Sequence, residues 1–93
     1  MIRSVRDLRV SLLASGVAPK RFPSDLVRPA QRKIQSLRAA ERIEDLASPP
    51  GNRLEALRGD RAGQHSIRIN AQWRICFVWR DGATEDVEIV DYH

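Results

Sequence analysis

Trp73-Arg74-Ile75-Cys76-Phe77-Val78-Trp79 is the most apolar run of the chain. In an extended strand successive side chains alternate between faces. Trp73, Ile75, Phe77 and Trp79 therefore share one face, and Arg74, Cys76 and Val78 the other. A strand apolar on both faces belongs near the centre of a sheet. On its N-terminal side, across a tight turn near Asn70-Ala71, Ile67 and Ile69 alternate with Ser66, Arg68 and Asn70. On its C-terminal side Asp81-Gly82 is a strong two-residue hairpin signal. Val87 and Ile89 then mark a last strand that leads to Asp91-Tyr92-His93. An earlier strand is expected from about Arg53 to Leu57, ending at Arg58-Gly59-Asp60. From Arg53 onward the period is two.

Upstream the period changes. Leu26, Val27, Ala30, Ile34 and Leu37 fall within one stripe at 3.6 residues per turn, which predicts a helix from about Ser24 to Ala40. Arg28, Arg32, Gln35 and Arg42 lie opposite that stripe. Pro29 conflicts with a helix interior; the helix either bends there or starts late with Pro29 at its first position. A first helix is expected to be capped by Ser4 with Asp7 three residues on. Its buried face would be Val5, Leu8 and Leu12, and Gly16 would end it. Met1 to Val5 could form a short strand. Glu41 to Ala47 adds at most one short turn, and Ser48-Pro49-Pro50-Gly51-Asn52 makes a rigid loop. Helices first and an antiparallel meander second predict an α+β domain, with N-terminal helices packed on one side of a small, mainly antiparallel sheet.

Ninety-three residues suit one domain spanning 1–93. Apolar residues make up 42% of the chain and charged residues 30%, a globular rather than a disordered composition. No run approaches the length of a membrane span, and the N-terminus lacks a signal-peptide apolar stretch, so a cytoplasmic protein is expected. The single cysteine, Cys76, cannot form an internal disulfide, and its apolar surroundings predict an inert, buried thiol. The net charge is +4, and fourteen of the sixteen basic residues are Arg. Guanidinium forks suit phosphate, so this bias points to a polyanion partner. GC-rich codon usage would explain the count equally well.

Three features can carry chemistry. Arg74 sits in the most apolar segment, where a guanidinium must find hydrogen-bond partners or an anion. It is either a structural ion-pair residue, with Asp91 as a partner on a neighbouring strand, or a phosphate-binding Arg held on a strand. The loop Leu57-Arg58-Gly59-Asp60-Arg61-Ala62-Gly63 carries two glycines and two arginines and could approach a phosphate backbone closely. Alone it could be an ordinary connection. Last comes Asp91-Tyr92-His93. Asp91 can accept a proton, Tyr92 can stack on a base or donate a hydrogen bond, and His93 can shuttle protons near neutral pH. A frayed tail is the competing reading. His65, at a strand start, reads as packing. Neither metal-ligand spacing nor a Gly-rich nucleotide loop is present, and no cofactor is expected.

Taken together, Arg53 to Gly63, Ser66-Ile67-Arg68-Ile69-Asn70, Trp73-Arg74-Ile75 and the closing Asp91-Tyr92-His93 closely resemble the HigB branch of the RelE/ParE toxin superfamily. The likeness extends to Arg21-Phe22-Pro23 and Pro49-Pro50-Gly51-Asn52. It implies a RelE-like fold and the toxin of a type II toxin–antitoxin system. RelE-like members cut mRNA on the ribosome, whereas ParE-like members poison DNA gyrase. The resemblance implies catalytic roles for Arg74, Asp91, Tyr92 and His93 and RNA binding by Arg58, with Arg61 and Arg68 added to that basic set. Glu55 stands where the best-studied branch has His, and could serve as base or orient an Arg. His65 stands where many relatives have Tyr, and Pro29 is atypical. The implied partners are a helix-turn-helix antitoxin of HigA type, the ribosome and mRNA.

These groups suit RNA cleavage without a metal. RNA supplies its own nucleophile, the 2′-hydroxyl, which must be aligned with the adjacent phosphate. A base (Asp91 or Glu55), cations (Arg74 and Arg58) and an acid (His93) complete the requirement. The alternatives are a gyrase-poisoning, ParE-like toxin and a nucleic-acid-binding module without catalysis. Acid–base groups in the terminal triplet favour the nuclease, since a gyrase poison needs none.

Overall fold

The computed structural model describes residues 1–91; Tyr92 and His93 lie outside the described residues. Four strands form an antiparallel sheet in chain order: β1 (Glu55–Ala56), β2 (His65–Arg68), β3 (Trp73–Arg80) and β4 (Ala83–Asp91). The apolar run is β3, paired on both edges, with Ile75 and Phe77 turned into the core. Asp81 and Gly82 take φ of +51° and +75°, the pair of left-handed residues that a two-residue hairpin needs. The turn before β3 is held by Asn70, whose Oδ1 accepts from the amides of Gln72 and Trp73. The strand expected from Arg53 to Leu57 shrinks to Glu55–Ala56, because Arg53 is left-handed (φ +47°) and breaks the extended run.

One irregularity re-aims β4. Cys76 pairs with Glu88 but Val78 pairs with Glu85, so β4 uses one residue more than β3 between the two pairs. Asp86 absorbs this bulge with φ +53°. Beyond it, Val87 and Ile89 point into the core.

Two helices, α1 (Leu8–Ala14) and α2 (Val27–Ala39), cover one face of the sheet. The core joins Val10 and Leu13 of α1 and Ala30, Ile34 and Leu37 of α2 to Ile67, Ile75, Phe77, Val87 and Ile89 of the sheet. Each such fully buried Leu, Ile or Phe contributes ~1.5–3 kcal/mol of burial free energy. The α2 stripe matches the expectation. A 3₁₀ turn, Ser24–Leu26, leads into α2, which places Pro29 in its first turn, where the missing N–H breaks no helical hydrogen bond.

The first helix departs from expectation. Asp7, not Ser4, is its cap: the Asp7 carboxylate accepts from the Arg9 amide at 3.0 Å. Ser4 instead accepts through Oγ from the Asp86 amide in the bulge. This later start rotates the buried face to Val10 and Leu13, leaving Leu8 72% exposed and Val5 at the surface. Gly16 does end the helix, at φ +85°, with the Val17 amide reaching back to the Leu12 carbonyl. The short N-terminal strand reduces to two parallel bridges on β4, Ile2 with Thr84 and Val5 with Val87.

Candidate functional site

The sheet face turned away from the helices gathers the candidate residues by register. Glu55 lies opposite Ser66, Ser66 opposite Cys76, Arg68 opposite Arg74 and Cys76 opposite Glu88. Arg74 is only 9% exposed. Its Nε donates to Ser66 Oγ at 2.8 Å and one Nη to the Arg53 carbonyl at 2.7 Å. The same Nη lies 3.8 Å from the Glu55 carboxylate. The ion pair with Asp91 considered from sequence is not formed. Arg74 faces Val90, and Asp91 faces Trp73 one residue out of phase, where its carboxylate accepts from Gln72 Nε2 at 3.1 Å. The structure thus unites Glu55 and Arg74 and sets Asp91 on the alternate side of β4. Tyr92 and His93 lie outside the described residues.

The basic residues divide by environment. Arg68 and Arg74, with Arg53, Asn70 and Ala71, line a cleft of about 300 Å³. Arg68 donates from Nε to the Asn70 carbonyl. Arg58 is exposed just before the 3₁₀ turn Gly59–Arg61 and lines an adjoining hollow with Glu55, Ala56 and Leu57. Arg61 is engaged differently, donating to Gln64 and, at 2.6 Å, to Glu88. Among the described residues, Arg53, Arg58 and Arg68 have no carboxylate within salt-bridge distance.

Two sequence readings of reactive-looking groups hold. Cys76 is fully buried, and that burial pushes its thiol up from its ordinary value, the condition of an inert thiol. The His65 ring stacks on Phe77 at a centroid distance of 6.2 Å, a packing role. Among the described residues no three His, Cys, Asp or Glu side chains group as metal ligands.

Sequence reasoning missed three residues that build the site: Ser66, Arg53 and Asn52. Asn52 is fully buried, donating to the Leu46 and Ser48 carbonyls and accepting from Lys33 of α2. A buried Ser in a strand next to an arginine was the only available signal. A left-handed backbone at Arg53 leaves no trace in residue type.

Comparison with known proteins follows the same lines. The family model of the RelE-like toxin HigB of type II toxin–antitoxin systems matches residues 14–93. The chain is 47% identical over 61 residues to Toxin HigB-1 of Vibrio cholerae, covering 66% of this chain but only 64% of that protein. It is 30% identical to Endoribonuclease HigB of Proteus vulgaris over 93 residues, with both chains covered completely. An uncharacterized protein of Haemophilus influenzae is 33% identical over 72 residues, 77% of this chain and 71% of that one. A match of this extent, on a helix-backed four-stranded sheet, means that the chain belongs to the HigB family of RelE-like toxins of type II toxin–antitoxin systems.

Proposed function

We propose that this chain is a single-domain, cytoplasmic endoribonuclease that cuts mRNA on the ribosome and is silenced by a helix-turn-helix antitoxin of HigA type. One observation carries the reading: Arg68 and Arg74 face each other directly across β2 and β3 in a cleft that Arg53 also lines. Like charges directly opposite in a sheet cost stability, and a phosphate group between them would turn that cost into binding. The name of the Proteus vulgaris relative, an endoribonuclease, supports the same chemistry.

The reaction needs no cofactor. A base removes the 2′-hydroxyl proton, the 2′-oxygen bonds to phosphorus and the bond to the 5′-oxygen breaks, leaving a 2′,3′-cyclic phosphate and a 5′-hydroxyl. Glu55, on the Arg74 face, and Asp91 are the candidate bases. Arg74 and Arg58 offset the charge that develops on the phosphate. His93 protonates the leaving oxygen and Tyr92 stacks on a base, while Arg61 and Arg68 guide the RNA backbone. Such a small site gains from a substrate that is already positioned, which favours mRNA held on the ribosome.

Arg74→Lys tests the reading, because Lys keeps the charge but loses the planar fork. Induction of the wild type followed by primer extension should show cuts within translated messages. The variant, with its fold confirmed by circular dichroism, should cleave roughly 100-fold less. Wild-type cleavage by the variant would reject the role of Arg74, and intact messages alongside broken DNA would reject the nuclease reading.

A further inference from the structure

We propose that Ser66, together with the Arg53 carbonyl fixed by Asn52, is a positioning clamp that sets the orientation of the Arg74 guanidinium towards a phosphate. The inference rests on the proposed nuclease reading and goes beyond it, since neither Ser66 nor Asn52 belongs to the catalytic set.

A guanidinium is planar, and a single hydrogen bond lets it swivel. Here two different nitrogens are anchored, Nε by Ser66 Oγ at 2.8 Å and Nη by the Arg53 carbonyl at 2.7 Å. Two anchors on non-equivalent atoms hold both the plane and its rotation. Each anchor is itself held. Ser66 is fully buried within β2, where a hydroxyl costs free energy unless it is hydrogen-bonded. Its placement in the sheet beside Arg74 makes that bond. Arg53 adopts φ +47° and ψ +55°, a left-handed conformation that a side chain with a Cβ disfavours. That conformation turns its carbonyl towards Arg74. The residue before it, Asn52, bonds to two carbonyls of the preceding loop and to Lys33. A chain of contacts therefore runs from α2 through Asn52 and the Arg53 backbone to the guanidinium, and meets Ser66 from the opposite strand.

A clamp predicts an effect on turnover rather than on binding. Displacement of a catalytic group by about 1 Å can cost on the order of 100-fold in rate. The experiment has two readouts on the full chain. The first is the Arg Nε–H region of the ¹⁵N NMR spectrum. The wild type should show a protected Nε–H signal assigned to Arg74, absent in Arg74→Lys and shifted in Ser66→Ala. The second is cleavage of a defined message in a cell-free translation reaction. Ser66→Ala should lower kcat roughly 10- to 100-fold with KM little changed, and Ser66→Thr, which keeps Oγ, should recover most of it. An unshifted Arg74 signal, or wild-type kcat in Ser66→Ala, would overturn the clamp. Should Ser66→Ala not fold, the wild-type spectrum decides: an Arg74 Nε–H exchanging as fast as an exposed arginine rejects the proposal. Failure of the nuclease reading shows up separately, as a message left intact by the wild-type chain itself.

Discussion

Arg74 shows how one residue can be legible in type and illegible in context. An arginine in an apolar strand had to find partners, and that much follows from desolvation alone. The identity of the partners does not. Among the described residues they include a buried hydroxyl and a backbone carbonyl, with Glu55 at 3.8 Å, and the acid suggested by sequence lies out of phase with it. The residues after Asp91 are tested at the same scale. Ending the chain at Asp91 removes Tyr92 and His93 while leaving every core residue among the described residues in place. The truncated protein should melt within a few degrees of the full chain, yet no longer arrest growth when induced. Arrest at matched expression would show that neither residue takes part in cleavage.

Among the elements, the joint between α1 and β4 depends on Asp7. Its carboxylate caps α1 through the Arg9 amide, pairs with the Arg9 guanidinium at 2.8 Å and accepts from the Ile89 amide at 3.1 Å. Burial alone would raise the carboxyl's proton affinity. The hydrogen bonds from Arg9 and Ile89 outweigh it and hold the group below its ordinary value of 3.8. A depressed carboxyl stabilises the fold above its ordinary value, and that contribution is lost as pH falls through the lower native one. Asp7→Ala should therefore cost about 1–3 kcal/mol near neutral pH. The gap from wild type should narrow in acid, as read by urea melts across that range. A gap that is constant with pH would assign the effect to the neutral contacts only.

For the whole molecule, the arrangement of charge matters more than its total of +4. Arg3, Arg6, Arg9, Arg61 and Arg80 are paired with carboxylates, whereas Arg53, Arg58 and Arg68 gather around the open sheet face. If these three and Arg74 meet phosphates, the affinity for single-stranded RNA should fall with salt along a log–log slope of roughly −3. Arg53→Ala should flatten that slope by about 0.7. Fluorescence anisotropy with a labelled oligoribonucleotide measures both, and a slope near zero would deny backbone contacts. The family to which the chain belongs is that of toxins in type II toxin–antitoxin systems, whose toxins are paired with antitoxins.

Periodicity by itself determined the two helices, the meander, the central place of β3 and the Asp81-Gly82 turn, because each is written in the spacing of neighbours along the chain. Only the tertiary structure decided which side chains meet. The one-residue bulge at Asp86 and the left-handed Arg53 depend on pairing between distant segments, and neither residue type announces them. The same reason explains the first helix, whose cap is Asp7, a carboxylate that also accepts from the Ile89 amide of β4, 82 residues away in the chain. Local pattern specifies elements. Register, which is non-local, specifies the site.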